Sequence, residues 1–308
     1  MAKHEAPHIP VLHRQVLEVI NPRPGQIVVD CTLGLGGHSG SFLAKLHPGG
    51  RLLGIDLDPS NLAAAREYLT WIGGRFDLFH SNFAGLPQVL AQAEVPPDAE
   101  GMPRVDAVLA DIGVASTQID DPARGFSYRR PGPLDMRMDP TRGQPASVLI
   151  ARMSQAEIEA ALLELGDETD APYIARLIVQ RRSERPILTT EDLTAIVCEA
   201  RKFTLERALG AKLHPAARTF QTFRLLVNRE LANLERLLAV LPSCLKPGGV
   251  AAIISFHSGE DRRVKQAFRD GHRAGVYSSI SDEPLTADEE EIKANPRSRS
   301  AKLRWARV

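Results

Sequence analysis

The stretch "VVDCTLGLGGHSG", from Val28 to Gly40, contains four glycines in seven residues and begins with an apolar run. Glycine reaches backbone conformations that other residues avoid, and it lets another molecule approach the main chain closely. The residues before the glycines predict a buried strand, and those from about 38 to 46 predict a helix. A strand, a glycine turn and a helix N-terminus together form a binding site for a polar ligand.

The spacing of these glycines excludes one familiar ligand. A nucleoside-triphosphate loop needs Gly-Lys-Ser/Thr after its first glycine, and no lysine occurs here before Lys45. A dinucleotide loop needs G-x-G-x-x-G. Gly34 and Gly36 fit the first two places, but the third place falls on Ser39.

Asp56 is the next residue that could bind a ligand. It ends a second apolar run, "RLLGID", roughly 20 residues after the first glycine, where a carboxylate can bind ribose hydroxyls. NAD and S-adenosylmethionine (SAM) both contain an adenosine ribose, so Asp56 does not separate them. The other interpretation is that Asp56 is an acidic residue at a strand end that leads into the N-cap of the next helix. Asp58 and Pro59 already have the pattern of an N-cap, which leaves Asp56 free and favours ligand binding.

Further candidates follow two other predicted strands. Asp111 ends "VDAVLAD", and His257 follows "VAAIISF". Ligands of open α/β sheets bind at the carboxyl ends of the strands, so both residues are candidates for the site. For His257, a structural hydrogen bond and a catalytic role both stay open.

Two basic segments have no helical or strand period. "GFSYRRPGPLDMRMD", from Gly125 to Asp139, is a long loop whose aromatic and sulfur content argues against disorder, and long ordered loops are usually functional. "NPRSRSAKLR" has four basic residues and no carboxylate, a pattern typical of a solvated tail or of a phosphate-binding segment.

The elements that must position these residues alternate between strand and helix. This alternation predicts a parallel sheet with helices on both faces. The predicted strands are Val28–Cys31, Leu52–Asp56, Phe76–His80 and Val105–Asp111, with helices at about 38–46, 59–70 and 84–94. Later in the chain, apolar residues at steps of three and four predict one long amphipathic helix from Phe220 to Leu241, which "LKPGG" ends. A buried strand at Val250–Phe256 and an edge strand in "AKLRWARV" complete the pattern.

About a hundred residues between Asp111 and the long helix show only helical patterns. These lie near 154–165, 170–183 and 190–201, and two of them begin with capping boxes, Ser154 with Glu157 and Thr189 with Asp192. We therefore expect a helical insertion at 120–214 between two parts of an α/β core, residues 1–119 and 215–308.

The composition bounds the class of protein. The chain has 308 residues, 43% of them hydrophobic, with 38 basic and 38 acidic residues, so nucleic-acid binding would have to use local basic patches. Its three cysteines stand far apart, as in proteins of a reducing cytosol, and its histidines lack metal-ligand spacing, so we expect no metal. No apolar stretch approaches membrane-spanning length, and we expect a soluble cytoplasmic protein without a membrane partner.

Several segments, taken in order, resemble the bacterial small-subunit ribosomal RNA cytosine-N4 methyltransferases, the RsmH (formerly MraW) family. They are "HIPVL", "DCTLGLGGHS", "IDLDP", "DIGVASTQIDDPARGFSYRRPGPLDMRMD", "HPAARTFQTFRLLVNREL", "LKPGG", "SFHSGEDRRVK" and "NPRSRSAKLR". The resemblance runs nearly from end to end, and the long arginine- and methionine-rich block is its most specific part. It implies a Rossmann-like class I SAM-dependent methyltransferase with an inserted helical domain.

The resemblance also implies SAM as cofactor and a cytidine in the decoding region of 16S rRNA, within the small ribosomal subunit, as acceptor. The implied cofactor contacts are Gly36, Gly37, His38, Asp56, Phe83, Asp111 and Gln118. The residue patterns agree for the glycines and the two aspartates, and they fit Phe83 as an aromatic cover for adenine. For Gln118, the resemblance is the only support for a cofactor contact. The oligomeric state stays open, with a homodimer as one alternative.

Three positions depart from the family pattern. Gly259 stands where "SFHSLEDR" has leucine, and "VASTQ" stands where "VSSPQ" is common. In "DETDAPYIARLI", the basic residue often found ahead of the "IAR" segment is absent. The first change loosens the turn beside His257. The second removes a proline from the loop that carries Gln118, and the third puts one RNA contact in doubt.

Methyl transfer to a cytosine amine needs an acceptor for the amine hydrogens, because the nitrogen lone pair is delocalised into the ring. Asp135 in "GPLDMRMD" is the first candidate and His257 the second; a structural ion pair of Asp135 with Arg137 or Arg130 is the alternative. The cytidine must leave its stack, and the insertion offers basic residues to hold the RNA around it. These are Arg176, Arg181, Arg182 and Arg185. A nicotinamide dehydrogenase and a non-catalytic ribosome-assembly factor remain as rival functions.

Overall fold

The computed structural model describes residues 10–211 and 213–308. These residues form two compact units. The first unit, here called the sheet unit, contains the described residues up to Gly113 together with Leu231–Val308. The second, the helical unit, is Val114–Glu230. The helical insertion therefore begins slightly before, and ends well after, the boundaries expected from the sequence.

The sheet unit is built on a sheet of seven strands in the order β3-β2-β1-β4-β5-β7-β6. The strands are β1 (Ile27–Asp30), β2 (Arg51–Asp56), β3 (Arg75–His80), β4 (Val105–Asp111), β5 (Leu245–Ser255), β6 (Ser279–Ile280) and β7 (Lys302–Arg307). Neighbours from β3 to β5 pair in parallel, and β7 runs antiparallel to β5 and β6. The predicted α/β fold with an inserted helical domain is confirmed.

Strand β7 is not the edge strand that the sequence predicts. It pairs on both sides, with Val250–Ser255 of β5 on one side and with β6 on the other. The two-residue β6 forms the edge instead. Two residues are too short to show a period in the sequence, which is why this strand was not predicted.

Fourteen α-helices are present in the described part of the chain. They are α1 (His13–Ile20), α2 (Gly37–Leu46), α3 (Pro59–Ile72), α4 (Leu86–Gln92), α5 (Ser116–Asp120), α6 (Ala146–Arg152), α7 (Gln155–Gly166), α8 (Ala171–Glu184), α9 (Thr190–Ala200), α10 (Leu205–Leu209), α11 (Ala217–Asn228), α12 (Glu230–Cys244), α13 (Ser258–Arg273) and α14 (Glu289–Ala294). No helix among the described residues combines the length and apolar character that crossing a bilayer requires.

The two faces of the sheet bury separate apolar cores. Alternate strand residues point to opposite faces, so Val29 belongs to one core and Val28 to the other. Helices α4, α12 and α13 contribute to the core around Val29, whereas α1, α2 and α3 contribute to the core around Val28. This double covering is what a parallel sheet requires.

The predicted long helix is two helices. Apolar residues continue at helical spacing from α11 into α12, but Arg229 between them has φ 52° and ψ 38°, in the left-handed region. The side chains on either side are held locally, because the Asn228 amide donates to Met136 O and Arg224 pairs with Glu230. The spacing of apolar residues along the sequence does not reveal a single residue that leaves the helical conformation.

The helical unit has its own core, to which the loop from Gly125 to Asp139 contributes. Leu134 and Met136 are fully buried there beside apolar residues of α7, α8 and α11. The predicted capping boxes are confirmed, since Ser154 accepts from Glu157 N and Thr189 accepts from Asp192 N. The loop is therefore ordered, as its composition predicts.

Candidate active site

Three aspartates end neighbouring strands of the sheet unit. Asp30 ends β1, Asp56 ends β2 and Asp111 ends β4, and His257 follows β5 after one intervening residue. These strands are parallel and adjacent, so all four residues lie at the same carboxyl edge of the sheet. This edge is where ligands of open α/β sheets bind.

The glycine loop joins β1 to α2 at this edge. Gly34 and Gly36 have φ values of 52° and 86°, in the left-handed region that favours glycine. Gly36 is the N-cap residue of α2, whose first-turn N–H groups have no acceptor within the helix. A Cβ on Gly36 would also lie 3.4 Å from the Tyr68 ring. The loop thus presents backbone N–H groups beside the strand ends.

Asp56 is tied to this loop. Its Oδ2 accepts from Gly34 N at 2.7 Å, its Oδ1 accepts from Asp58 N at 2.8 Å, and the Asn61 amide lies 3.3 Å from both oxygens. Asp58 caps α3 as predicted, but Asp56 is not left free of protein contacts as expected. Burial raises its pKa to about 6 against the lowering effect of these hydrogen bonds. Each carboxylate oxygen has two lone pairs, so the carboxylate retains capacity for ligand hydroxyls.

Asp111 is the least satisfied carboxylate of the edge. Its Oδ1 is buried and has no hydrogen-bond partner among the described residues, while its backbone N–H donates to Thr32 Oγ1 at 2.6 Å. Burial, followed by the charges of Asp30 and Glu260, raises its pKa to about 7. An unsatisfied buried acceptor of this kind fits a cationic or donor-rich ligand such as the SAM that the resemblance implies.

Asp30 was missed by the sequence reasoning. Its Oδ2 accepts from Ser39 Oγ at 2.7 Å and its Oδ1 accepts from Thr32 N at 3.1 Å, so it holds both ends of the glycine loop. It is fully buried, and burial raises its pKa to about 6. The signal that could have found it is the one that marked Asp56, an aspartate at the end of an apolar strand.

The His38 side chain is packed in the protein interior. The ring stacks between His13 and Phe42, at centroid distances of 5.7 Å and 6.3 Å, and the residue is buried. Burial, and to a lesser degree His13, lowers its pKa to about 3, so the ring is neutral at physiological pH. A cofactor contact at His38 would therefore use its backbone, as at Gly37.

The remaining predicted cofactor residues lie in different units. Phe83 begins a short 3-10 helix after β3, capped by Asn82, and its partly buried ring packs against the core that contains Val29. Gln118 belongs to α5 of the helical unit, where its Oε1 accepts from Ala115 N at 3.1 Å.

His257 is held at the start of α13. Its Nε2 lies 3.1 Å from Glu260 Oε1 without forming a hydrogen bond, while Glu260 Oε2 accepts from Phe256 N at 2.9 Å. A Cβ on Gly259 would lie 3.2 Å from two atoms of the His257 ring. The glycine that departs from the family pattern therefore leaves room beside this ring.

Asp135 forms the ion pair that was the alternative to a catalytic role. Its two oxygens accept from Arg137 Nε and Nη2, each at 2.7 Å. Burial alone would raise the pKa of Asp135, but the hydrogen bonds and charge of Arg137, with a smaller effect of Arg124, lower it overall. The carboxylate is thus ionised and fixed in orientation, a state in which it can still accept a hydrogen bond on its remaining lone pairs.

Three of the four arginines predicted to hold RNA have partners within the helical unit. Arg181 pairs with Glu184 and Glu199. Arg185 pairs with Asp192, and Arg182 donates to the carbonyls of Ile150 and Met153. Arg176 differs, because its guanidinium lies 5.5 Å from the centre of the Tyr173 ring, whose residue is 58% exposed.

Comparison with known proteins shows the family of this chain. The sequence profile of the MraW methylase family matches residues 5–308. The chain is similar to the Ribosomal RNA small subunit methyltransferase H of Sorangium cellulosum, with 44% identity over 97% of this chain and 90% of that protein. It is 42% identical to the protein of that name from a Geobacter species, over 96% of this chain and 97% of that one. The chain belongs to the MraW methylase family.

Proposed function

We propose that this protein transfers a methyl group from SAM to the N4 amine of a cytidine in the decoding region of 16S rRNA, within the small ribosomal subunit. The observation that carries the proposal is the hydrogen bond from Gly34 N to Asp56, which joins the glycine loop and the ribose-binding carboxylate into one site. Family membership over residues 5–308, and the names of the relatives, support SAM and rRNA.

The sheet unit supplies all of the proposed cofactor residues except Gln118. The backbone of Gly36, Gly37 and His38 faces the ligand, Asp56 takes the ribose hydroxyls and Asp111 accepts a hydrogen bond or faces positive charge. Phe83 covers the adenine face, and Gln118 is included on the family resemblance. When bound, SAM supplies a methyl group on a sulfonium, which is reactive enough that the chain mainly needs to align the acceptor.

Asp135 is the proposed acceptor for the amine hydrogens of the cytosine. A carboxylate held ionised by Arg137 favours the pyramidal, nucleophilic form of the amine and stabilises the positive charge that it gains. The methylated amine then loses a proton easily, so no strong base is needed. His257 is the second candidate, and its Nε2 lies 3.1 Å from Glu260 Oε1.

The three cysteines support nitrogen rather than carbon 5 as the acceptor. Methylation of carbon 5 generally requires a thiolate that first attacks carbon 6. Burial, before any other cause, raises the pKa of Cys31, Cys198 and Cys244, and each is buried and free of disulfides. The thiols therefore stay protonated and unreactive. Free thiols also suit the cytoplasm, which we propose as the compartment.

A variant with Cys31→Ala, Cys198→Ala and Cys244→Ala should keep its methyltransferase activity if it folds, and nucleoside mass spectrometry should identify N4-methylcytidine as the product. Circular dichroism and SAM binding establish that the variant is folded. Complete loss of turnover in such a folded variant, or a methyl group on carbon 5 or on ribose, would contradict the proposal.

The direct test is transfer of labelled methyl from SAM to naked 16S rRNA and to assembled small subunits. We expect incorporation with at least one of these substrates, and its loss in Asp135→Asn with SAM affinity retained. Binding of either RNA without any methyl transfer would instead favour the non-catalytic assembly factor.

A further inference from the structure

The carboxyl edge of the sheet unit concentrates buried negative charge without a cation. Asp30 and Glu260 are each 1% exposed, and Asp111 Oδ1 is buried. Among the described residues, neither Asp30 nor Asp111 has a lysine or arginine partner. On α13, by contrast, Asp261 next to Glu260 pairs with Arg304 and Lys302. The fold thus neutralises one buried carboxylate of this region and leaves its neighbours uncompensated.

The charges that act on Asp111 come from one residue on β1 and one on α13. Asp30 on β1 and Glu260 on α13 both disfavour its ionised form, in addition to burial. His257 Nε2 lies 3.1 Å from Glu260 Oε1, and its ring is charged only if protonated. Burying several like charges together is costly unless an opposite charge arrives.

We propose that Asp30 and Asp111 form a charge selector, which makes this site prefer the positively charged sulfonium of SAM to the neutral thioether of the demethylated product. The inference rests on the proposed function. Asp111 faces the ligand. Asp30 acts through it, as a positioning and specificity-determining residue that adds its charge and fixes the loop through Thr32 N and Ser39 Oγ. The selector would hold the substrate form and release the product form, because a charge interaction in a buried site is stronger than in water.

This selector links SAM binding to proton release. Near neutral pH a fraction of Asp111 carries a proton, and a cationic ligand expels that proton to solvent. Affinity for SAM should therefore rise with pH, whereas affinity for the neutral product should change little. Removing the charge of Asp30 should move the rise to lower pH, because Asp111 then ionises more easily.

Isothermal titration calorimetry with SAM and with S-adenosylhomocysteine (SAH), the product, tests this. We expect the ratio of SAM affinity to SAH affinity in the native protein to rise by up to about tenfold between about pH 6 and about pH 8, the limit for one group with a pKa of about 7. Titrations in two buffers of different ionisation enthalpy should show proton release on binding SAM and less on binding SAH. Asp30→Asn should lower the plateau that the ratio reaches at high pH, and it should shift the midpoint of the rise to lower pH.

Two matched variants separate charge from packing. Ser39→Ala removes the hydroxyl that donates to Asp30 but leaves the carboxylate, so the preference for SAM should persist. Asp106→Asn removes a carboxylate near the opposite end of β4, where Asp106 pairs with Lys246, and should leave the affinity ratio unchanged. An Asp30→Asn variant that lowers both affinities equally, without moving the midpoint, would show a purely structural role and overturn the selector.

If Asp30→Asn does not fold, the pH series on the native protein decides by itself. Equal, pH-independent affinities for SAM and SAH would overturn the selector while leaving the proposed methyl transfer intact. Absence of binding by both ligands would overturn the proposed function, and the selector with it.

Discussion

Asp56 connects the glycine loop to the start of α3 through its bonds with Gly34 N and Asp58 N. The residue is therefore a structural anchor as well as a candidate ligand contact. The same holds for Asp30, which anchors Thr32 N and Ser39 Oγ. At the scale of single residues, the site is built from carboxylates that organise the loop beside which the ligand would lie.

Replacing Asp56 with Ala should weaken SAM binding by about 1–3 kcal/mol, because a ribose loses a charged acceptor and the loop loses its anchor. Calorimetry of SAM binding measures the loss. Asp77→Asn, on the neighbouring strand β3 and paired with Arg51, is a matched control that should bind SAM normally. Unchanged affinity in a folded Asp56→Ala protein would refute the assignment.

At the scale of elements, helix α8 carries arginines with different environments. Arg182 satisfies the carbonyls of Ile150 and Met153 at the end of α6, whereas Arg176 stacks near the exposed Tyr173 ring on the solvent side. An arginine that caps carbonyls contributes to stability, and an exposed arginine beside an aromatic ring is suited to RNA backbone and bases.

Arg182→Ala should lower the melting temperature of the protein without altering the salt dependence of RNA binding. Arg176→Ala should leave the melting temperature unchanged and reduce the salt slope of RNA affinity by about one, as expected for one lost phosphate contact. Filter binding to 16S rRNA at several salt concentrations, alongside thermal unfolding, compares the two. The reverse assignment of effects would show that Arg182 is the RNA contact.

The break between α11 and α12 depends on one exposed residue in the left-handed conformation, Arg229. Arg229→Gly should stabilise the protein or leave it unchanged, within about 1 kcal/mol, because glycine adopts this conformation without steric cost. Arg229→Val should destabilise it, since a β-branched side chain is strongly disfavoured there. Urea unfolding measures both variants. If Arg229→Gly proved as damaging as Arg229→Val, the side chain rather than the backbone would be the important feature.

At the scale of the whole molecule, the chain consists of two units with separate cores, and the sheet unit carries the carboxylates with raised pKa values. Burial raises the pKa of Asp30 and Asp56 to about 6 and that of Asp111 to about 7. Other carboxylates have lowered pKa values, among them Asp135 in the helical unit and Asp261 in the sheet unit.

These shifts predict how stability depends on pH. For the three raised groups, the folded state keeps a proton that the unfolded state releases above about pH 4. Their contribution is therefore full below about pH 4 and is lost as pH rises through the folded pKa values of about 6 to 7. Calorimetric unfolding of the ligand-free protein should show a falling melting temperature between about pH 5 and about pH 7.5.

Asp111→Asn should reduce that fall, and bound SAM should reduce it by supplying positive charge to the ionised cluster. A melting temperature that rises across the same interval would contradict the buried, uncompensated state of these carboxylates. Below about pH 4 the trend reverses, because groups such as Asp135 lose their ion pairs on protonation.

The strand and helix pattern of the sheet unit follows from the sequence alone. Continuous apolar runs such as the one ending at Asp111 can be buried only in a sheet covered on both faces, and local caps such as Asp58 before Pro59 need no distant partner. The same local information placed Asp56 and Asp111 at strand ends, and it contained Asp30 as well. The motifs and their order along the sequence were likewise sufficient to show the family resemblance.

Tertiary structure decided what depends on partners distant in the chain or on a single backbone angle. The left-handed Arg229 divides a continuous apolar pattern, and the short β6 forms the sheet edge in place of β7. Arg182 donates to a carbonyl at the end of α6, although the cluster of basic residues in the sequence suggests RNA binding. Among the residues that the structure describes, Asp111 Oδ1 has no hydrogen-bond partner, and the fold buries it where the charges of Asp30 and Glu260 act on it. A sequence states which charges exist, but their energy depends on which atoms surround them, and only the folded chain determines that.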